Sequence, residues 1–452
     1  MSDDINKFTF DLRDEYQRKP IAEKIIRLLT SDAKVSPMVI DGGWGTGKTE
    51  FCLKLINLIE TSDSEFKAVY VDAFSADHAD EPLMTLLAAI LKLLPEADRP
   101  SLIQKALPAV RFGIKTALKA GVSWTLKQDA ADVVNDFDKD LQKVGDAAIN
   151  HVIESLLADH VAAEKSIITL KDALKELAKV SPIVIFIDEL DRCRPNFALS
   201  MIESIKHVFD VEGVQFVLVT NTDQLRLSIK HCYGITDNAQ RYFDKFLGFS
   251  FALPQKIISG TSDSNWVSAK HLRSLIKSSD VLGGSGLDET GLIKFAINLV
   301  VENDLSLREV ETFVRYLEIY HTLVTDGGFP ERIIFGYGLL RILGVFISCF
   351  KSGQAKELTK GYVDGTFIVG LMGRSGLIDR NEKDPEIEDI ITAIIGLESS
   401  VNKSAFNPAS AEDKEYWGQE IKSLFRSSMS FSLAANKIKI ITDVIETLKL
   451  NG

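Results

Sequence analysis

The chain has 452 residues, 45% hydrophobic and 26% charged, with a formal net charge of −12. That length admits two or three domains and the composition is ordinary for a globular protein. The acidic total argues against a dedicated nucleic-acid coat, which needs a basic face toward phosphate. Cys52, Cys193, Cys232 and Cys349 lie far apart with no CxxC pairing. Reduced, buried thiols fit that spacing better than a disulfide framework or a zinc site. The start, MSDDINKFTF, lacks the basic-then-apolar layout of a signal peptide. The longest apolar stretch, Ile333 to Phe350, is broken by Arg341 and falls short of the roughly twenty residues that span a bilayer. The expectation is a soluble cytoplasmic protein.

Residues 11 to 31 read as a helical lead-in, and SPMVIDGGWGTGKTEFCLKLINLIE (36–60) reads as strand, glycine-rich turn and helix. After the turn, Phe51, Leu53, Leu55, Ile56, Leu58 and Ile59 recur at helical spacing. KAVYVDAF (67–74) is a second strand, followed by the helix of EPLMTLLAAILKLL (81–94). From about 98 to 166 long polar helices are expected. Strands resume at SPIVIFID (181–188) and VQFVLVTN (214–221), with a helix around FALSMIESIKHVF between them. FLGFSFALP (246–254) is a last short strand, and everything beyond Pro254 looks helical. Near-continuous apolar strands alternating with helices imply a parallel sheet covered on both faces.

Gly42-x-x-x-x-Gly47-Lys48-Thr49 is a complete phosphate-binding loop, Walker A, with a strand before it and a helix after. Its glycines let backbone N–H groups turn inward around phosphates, and the helix N-terminus favours an anion. Lys48 is expected on the β- and γ-phosphates and the Thr49 hydroxyl on Mg²⁺. Gly42, Gly43, Trp44, Gly45, Thr46 and Glu50 complete the segment expected to line the nucleotide.

Such a loop needs a second strand end that supplies a carboxylate to the same cation. VIFIDELDRCRP (184–195) supplies it. Asp188, directly after the apolar run, is the metal-side acid, and Glu189 is placed to polarise the attacking water as general base. Asp191 is expected to orient Arg192 by a salt bridge or to sit near the nucleotide. No N-K-x-D motif reads guanine, so adenine is the default base, and no HExxH or GxSxG pattern offers another chemistry.

GGWGTGKTEF and FIDELDRCRP together resemble the KAP family of P-loop NTPases, in which a tryptophan sits inside the loop and Walker B ends in D-[DE]-L-D-R. VDAFSADHADEPL (71–83) and RYFDKFLGFSFALP (241–254) agree with that family's other segments, so the resemblance covers roughly 15 to 320. It implies an additional-strand ATPase related to STAND and AAA+ proteins, with α/β fold, helical insertion between Walker A and Walker B, and a C-terminal helical lid and helical domain. The implied layout is a core over 1–97 and 167–256, an insertion over 98–166, a lid over 257–350 and a helical region over 351–452. It also implies a polar sensor after the added strand, Asn221 or, second, Thr220. Arg308 resembles the lid arginine of the related ATPases. Arg241 is the candidate for a finger acting across a subunit boundary, in a homo-oligomer.

The insertion departs from the transmembrane helices common in that family. From Lys105 to Lys127 it is basic and amphipathic, with Arg111, Lys115 and Lys119 on one stripe. Such a helix suits an anionic membrane surface, nucleic acid, or the chain's own acids at Asp129 to Asp140. Bacterial relatives are tied to mobile elements and phage exclusion, so the resemblance implies an ATP- and Mg²⁺-dependent switch or motor in anti-phage defence, with a protein partner or effector. Two other readings stay open: an ATP-binding adaptor with little turnover, and an AAA-like ATPase that remodels DNA.

Overall fold

The computed structural model describes residues 8–62, 66–79, 81–106, 165–233, 245–257, 265–288, 290–325, 327–378, 384–425 and 437–450. Its contacts divide the chain into two compact units: residues 1–43 with 47–253, and residues 44–46 with 254–452.

The first unit is built on five parallel strands: β1 (Met38–Asp41), β2 (Lys67–Asp72), β3 (Ile183–Asp188), β4 (Val214–Thr220) and β5 (Phe249–Ala252). Their spatial order is β2-β3-β4-β1-β5. The strand carrying the phosphate loop is thus separated from the DELDR strand by β4, the additional strand that the resemblance implies. In β3 all six residues are buried. Because successive side chains on a strand point to opposite faces, Ile183, Ile185 and Ile187 join one core and Val184 and Phe186 the other. Phe216 and Leu218 against Val217 and Val219 repeat the alternation on β4. A continuous apolar run is what a strand buried on both faces requires.

Helix α1 (Lys19–Leu29) and helix α2 (Lys48–Thr61) cover one face through Ala22, Ile25, Phe51, Leu55 and Ile59. Helices α3 (Pro82–Leu93), α4 (165–180), α5 (Pro195–His207) and α6 (Thr222–Tyr233) cover the other through Leu86, Ile90, Leu170, Leu174, Met201, Ile202 and Leu225. The lead-in helix is shorter than 11–31, because Asp14 and Gln17 turn the chain ahead of Lys19. Asp14 accepts hydrogen bonds from the Arg18 and Lys19 amides at 2.8 and 3.1 Å, and Gln17 takes φ +53°.

The turn into β4 uses Gly213 at φ +83°, where an added Cβ would stand 2.7 Å from the Ala178 Cβ of α4. Gly213→Ala therefore faces both left-handed strain and a clash. We expect it to destabilise the first unit by about 1–3 kcal/mol. A lowered urea midpoint checks this, and an unchanged midpoint contradicts it.

After Pro254 the described elements are helical apart from a single antiparallel bridge between Lys256 and Trp266. The second unit packs around helix α7 (Phe335–Phe350), whose residues Leu339 to Ile347, except Arg341, are buried. Arg341 escapes by donating to the Gly328 carbonyl at 2.6 Å. Helix α8 (Ile438–Leu448) crosses closely at Gly344, where a Cβ would lie 2.9 Å from the Val444 Cβ. Among the described residues no helix is long and apolar enough to cross a membrane.

The basic stretch 105–127, apart from its first two residues, lies outside the described residues, as does Arg241. Cys52 and Cys193 are buried, whereas Cys232 and Cys349 are only half-buried.

Candidate functional site

Parallel strands deliver their C-terminal ends to one side of the sheet, which is where α/β folds place their ligands. Here those ends carry Asp41, Asp72 and Asp188, with Thr220 closing β4. Asp72 and Asp188 are register partners across β2 and β3.

β1 runs directly into the loop. Gly42 N donates to the Thr220 carbonyl at 3.3 Å, and the Asp41 carboxylate accepts from Thr222 N at 2.9 Å. The exit of β1 is thereby fastened to the exit of β4. Gly45 and Gly47 take φ values of +75° and +80°, a region that only glycine enters without strain. Gly47 is also the N-cap of α2, so the first amides of that helix open toward the loop. Lys48 is buried and its ammonium donates to the Gly42 and Gly43 carbonyls at 2.7 and 2.9 Å. Burial draws its pKa below the usual lysine range, opposed by Asp191, Asp188 and Asp41. Glu50 forms an ion pair with Lys54 at 2.7 Å. Trp44 is 52% exposed.

Asp188 is only 1% exposed, yet its carboxylate is held on every side. Glu189 N donates to Oδ1 at 2.8 Å, the Tyr70 phenol donates to Oδ2 at 3.1 Å, and the Thr49 hydroxyl also donates. Burial raises the Asp188 pKa, and these donors with Lys48 pull it back. The loop hydroxyl and the strand-end acid expected to share a cation are thus already in contact. One carboxylate and one hydroxyl suit Mg²⁺, which keeps several waters and takes the rest of its shell from phosphate oxygens. Among the described residues no group of three or more His, Cys, Asp or Glu could hold a metal by itself.

Glu189 follows in the left-handed region, at φ 59° and ψ 26°. A non-glycine residue there carries strain of order 1 kcal/mol, tolerated where surrounding structure fixes it. Its carboxylate pairs with Arg192 at 2.9 Å and remains 23% exposed. Burial raises its pKa, which Arg192 opposes. A three-residue 3-10 turn, Leu190–Arg192, explains the pairing, because i and i+3 eclipse in that geometry.

The expected Asp191–Arg192 bridge is replaced by this arrangement. Asp191 instead turns inward and accepts from the Thr220 hydroxyl at 3.0 Å in a buried contact. Arg194 goes elsewhere again, pairing with Asp77 at 3.1 Å and also bonding the Asp77 carbonyl. That pair ties the segment after β2 to the segment after β3.

Asn221 is positioned at the β4 exit, but its carboxamide oxygen accepts from Asp223 N and Gln224 N at 3.2 and 3.3 Å. In this arrangement the side chain caps α6. Arg308 belongs to the second unit, one residue into helix α9 (Leu307–Leu323), behind a capping box formed by Ser306 and Glu309. The loop-tip residues 44–46 belong to that same unit, and Leu307 N donates to the Gly45 carbonyl at 2.9 Å.

Two neighbours of the site went unmarked in the sequence. Tyr70 is one, an aromatic in an apolar strand whose partner strand ends in Asp188. Arg18 is the other: 5% exposed, with its guanidinium 5.1 Å over the Tyr16 ring and 3.5 Å from the Gly47 carbonyl. Burial lowers its pKa. Nothing in its local sequence distinguishes it from a surface arginine.

The family model described as the KAP family P-loop domain matches residues 18–324. Among solved structures, AMPPCP-bound DnaA from Aquifex aeolicus aligns at 11% identity over 98% of this chain and 89% of that chain, with a TM-score of 0.29. No curated protein matches the chain.

Proposed function

Because the chain belongs to the KAP family of P-loop NTPases, we propose that it binds ATP with Mg²⁺ and hydrolyses the β–γ phosphoanhydride as a nucleotide-driven switch. The observation that carries this reading is the contact of Thr49 with Asp188 beside Lys48 and Glu189. Loop amides and Lys48 would take the phosphates, and Thr49 and Asp188 would hold the cation. Bound Mg²⁺ would neutralise charge between the β- and γ-phosphates.

Glu189 accepts a proton from the attacking water as its oxygen bonds to the γ-phosphorus. The bond to the bridging oxygen then breaks, giving ADP and phosphate. For this the carboxylate must leave Arg192, which makes the ion pair a resting arrangement of the base. Asp191 and Thr220 hold the β4 exit against the strand end. Asn221 acts by shaping that exit unless its cap is released. Arg308 and Arg241 are candidates for stabilising charge on the transferred phosphoryl, in cis and from a neighbouring copy.

The test is ATP hydrolysis and binding of a fluorescent ATP analogue, wild type against Lys48→Ala. A charge-assisted hydrogen bond contributes about 1.5–3 kcal/mol. Nucleotide affinity should therefore fall by about ten- to a hundred-fold, with turnover lost. Equal affinity and turnover in both proteins would overturn the reading. A specific activity that rises with protein concentration would favour an arginine from a neighbour. In the cell, the same reading makes the chain a nucleotide-switched component of phage exclusion. Equal phage plating on cells expressing wild type and Lys48→Ala would remove that role.

A further inference from the structure

We propose that Tyr70 is a positioning residue for the magnesium-side carboxylate, its phenol locking Asp188 in the orientation that meets Thr49 and a nucleotide-bound cation. The inference rests on the reading of this site as an ATP–Mg²⁺ site and names a residue outside the phosphate loop and the DELDR segment.

Tyr70 lies on β2, opposite Phe186 of β3, two positions before the Asp72–Asp188 pair. It stands among Ala68, Val69 and Val71, which are buried. A phenol placed beside such a core loses hydration at its oxygen, which is unfavourable unless a partner is found. The partner is Asp188 Oδ2, 118 residues away in sequence. With Oδ1 bonded to Glu189 N, both carboxylate oxygens are engaged, and rotation about the Cβ–Cγ bond would break one bond or the other.

The geometry has a chemical consequence. A phenol donates one proton, so it fixes an oxygen without neutralising the charge a cation needs. Phenylalanine would keep the ring packing and remove only the donor. Outer partners of a metal-side ligand typically change metal affinity by 10- to 100-fold.

The experiment measures the Kd of a fluorescent ATP analogue in Mg²⁺ and in EDTA, for wild type, Tyr70→Phe, Asp188→Asn and the double variant. In EDTA, Tyr70→Phe should match wild type within about twofold. In Mg²⁺ its Kd should rise about tenfold, with the Mg²⁺ half-saturation point rising in parallel. In the Asp188→Asn background the Tyr70 change should add nothing, because the group it positions has gone. That non-additivity also separates positioning from a general loss of fold, which would weaken binding in EDTA as well.

A wild-type gain in Mg²⁺ that survives intact in Tyr70→Phe would overturn this inference and leave the ATP–Mg²⁺ reading standing. A wild type that gains nothing from Mg²⁺ would overturn both.

Discussion

Glu189→Gln should slow ATP hydrolysis by about 10²–10⁴-fold, the usual contribution of a positioned general base, while ATP affinity stays within about twofold. The amide is nearly isosteric and can still bond a water, but it cannot take that water's proton. The strained backbone at φ 59° is unaffected by the change. What is lost besides basicity is the ion pair with Arg192. That pair is partly exposed and contributes little to stability.

The pH dependence gives a second readout. Burial raises the Glu189 pKa, so the acid limb of the wild-type rate should lie above the ordinary carboxylate range. The base works only when ionised, so the rate falls as pH drops through that pKa. The residual rate of the Gln variant should lack this limb. Steady-state rates across pH, with Kd measured alongside, check both statements. A Gln variant within about fivefold of wild type would assign the base elsewhere.

Phe346→Ala should destabilise the second unit by about 3–5 kcal/mol. Phe346 is fully buried in α7, edge-on to Phe313 at 5.4 Å and tilted against Phe350 at 5.1 Å. Truncation removes the ring's burial and also leaves a cavity between α7 and α9 that fixed helix backbones close only in part. Phe346→Leu, which keeps most of the volume, should stay below about 1.5 kcal/mol. The chain has two units, so a single melting temperature is not the right quantity. Hydrogen exchange within 307–323 and 335–350 should accelerate strongly in the Ala variant. Equal protection in both variants would mean the ring carries no packing load.

The legible part of this protein is the part whose chemistry is written contiguously. A phosphate loop needs glycines, a lysine and a hydroxyl within eight positions, and a strand-end acid needs only an apolar run before it. Gly42 to Thr49, Asp188 and Glu189 could be picked out for that reason, and the alternation of strands and helices from its apolar runs, whereas the place of β4 between β1 and β3 is set by the sheet order. Tyr70 and Thr220 reach the site through pairings 118 and 29 residues apart. No local pattern encodes such pairings. Asp191 and Arg192 are adjacent and of opposite charge, which suggested a bridge. A 3-10 turn points neighbours apart and brings i to i+3, so Arg192 met Glu189. Asn221 is a case of two uses for one side chain, since the same amide can face a ligand or cap the helix that follows. Composition does not choose between them; in this structure the amide oxygen meets Asp223 N and Gln224 N.

The sheet order has a consequence for how this chain can acquire new parts. β2 and β3 are register partners along their whole length, although residues 73–182 intervene. Their pairing is decided by side chains on the strands, not by the length of what joins them. For a flexible connection, each doubling adds only about 0.6 kcal/mol of closure entropy. Among the described residues β2 is also the outermost strand on its side, so material added to this crossover need not pass between the paired strands. For the protein engineer, this is the connection to choose for a fluorescent module or an affinity handle. For descent within the family, it is a place where segments of different origin can be exchanged while the Thr49–Asp188 contact stays as it is.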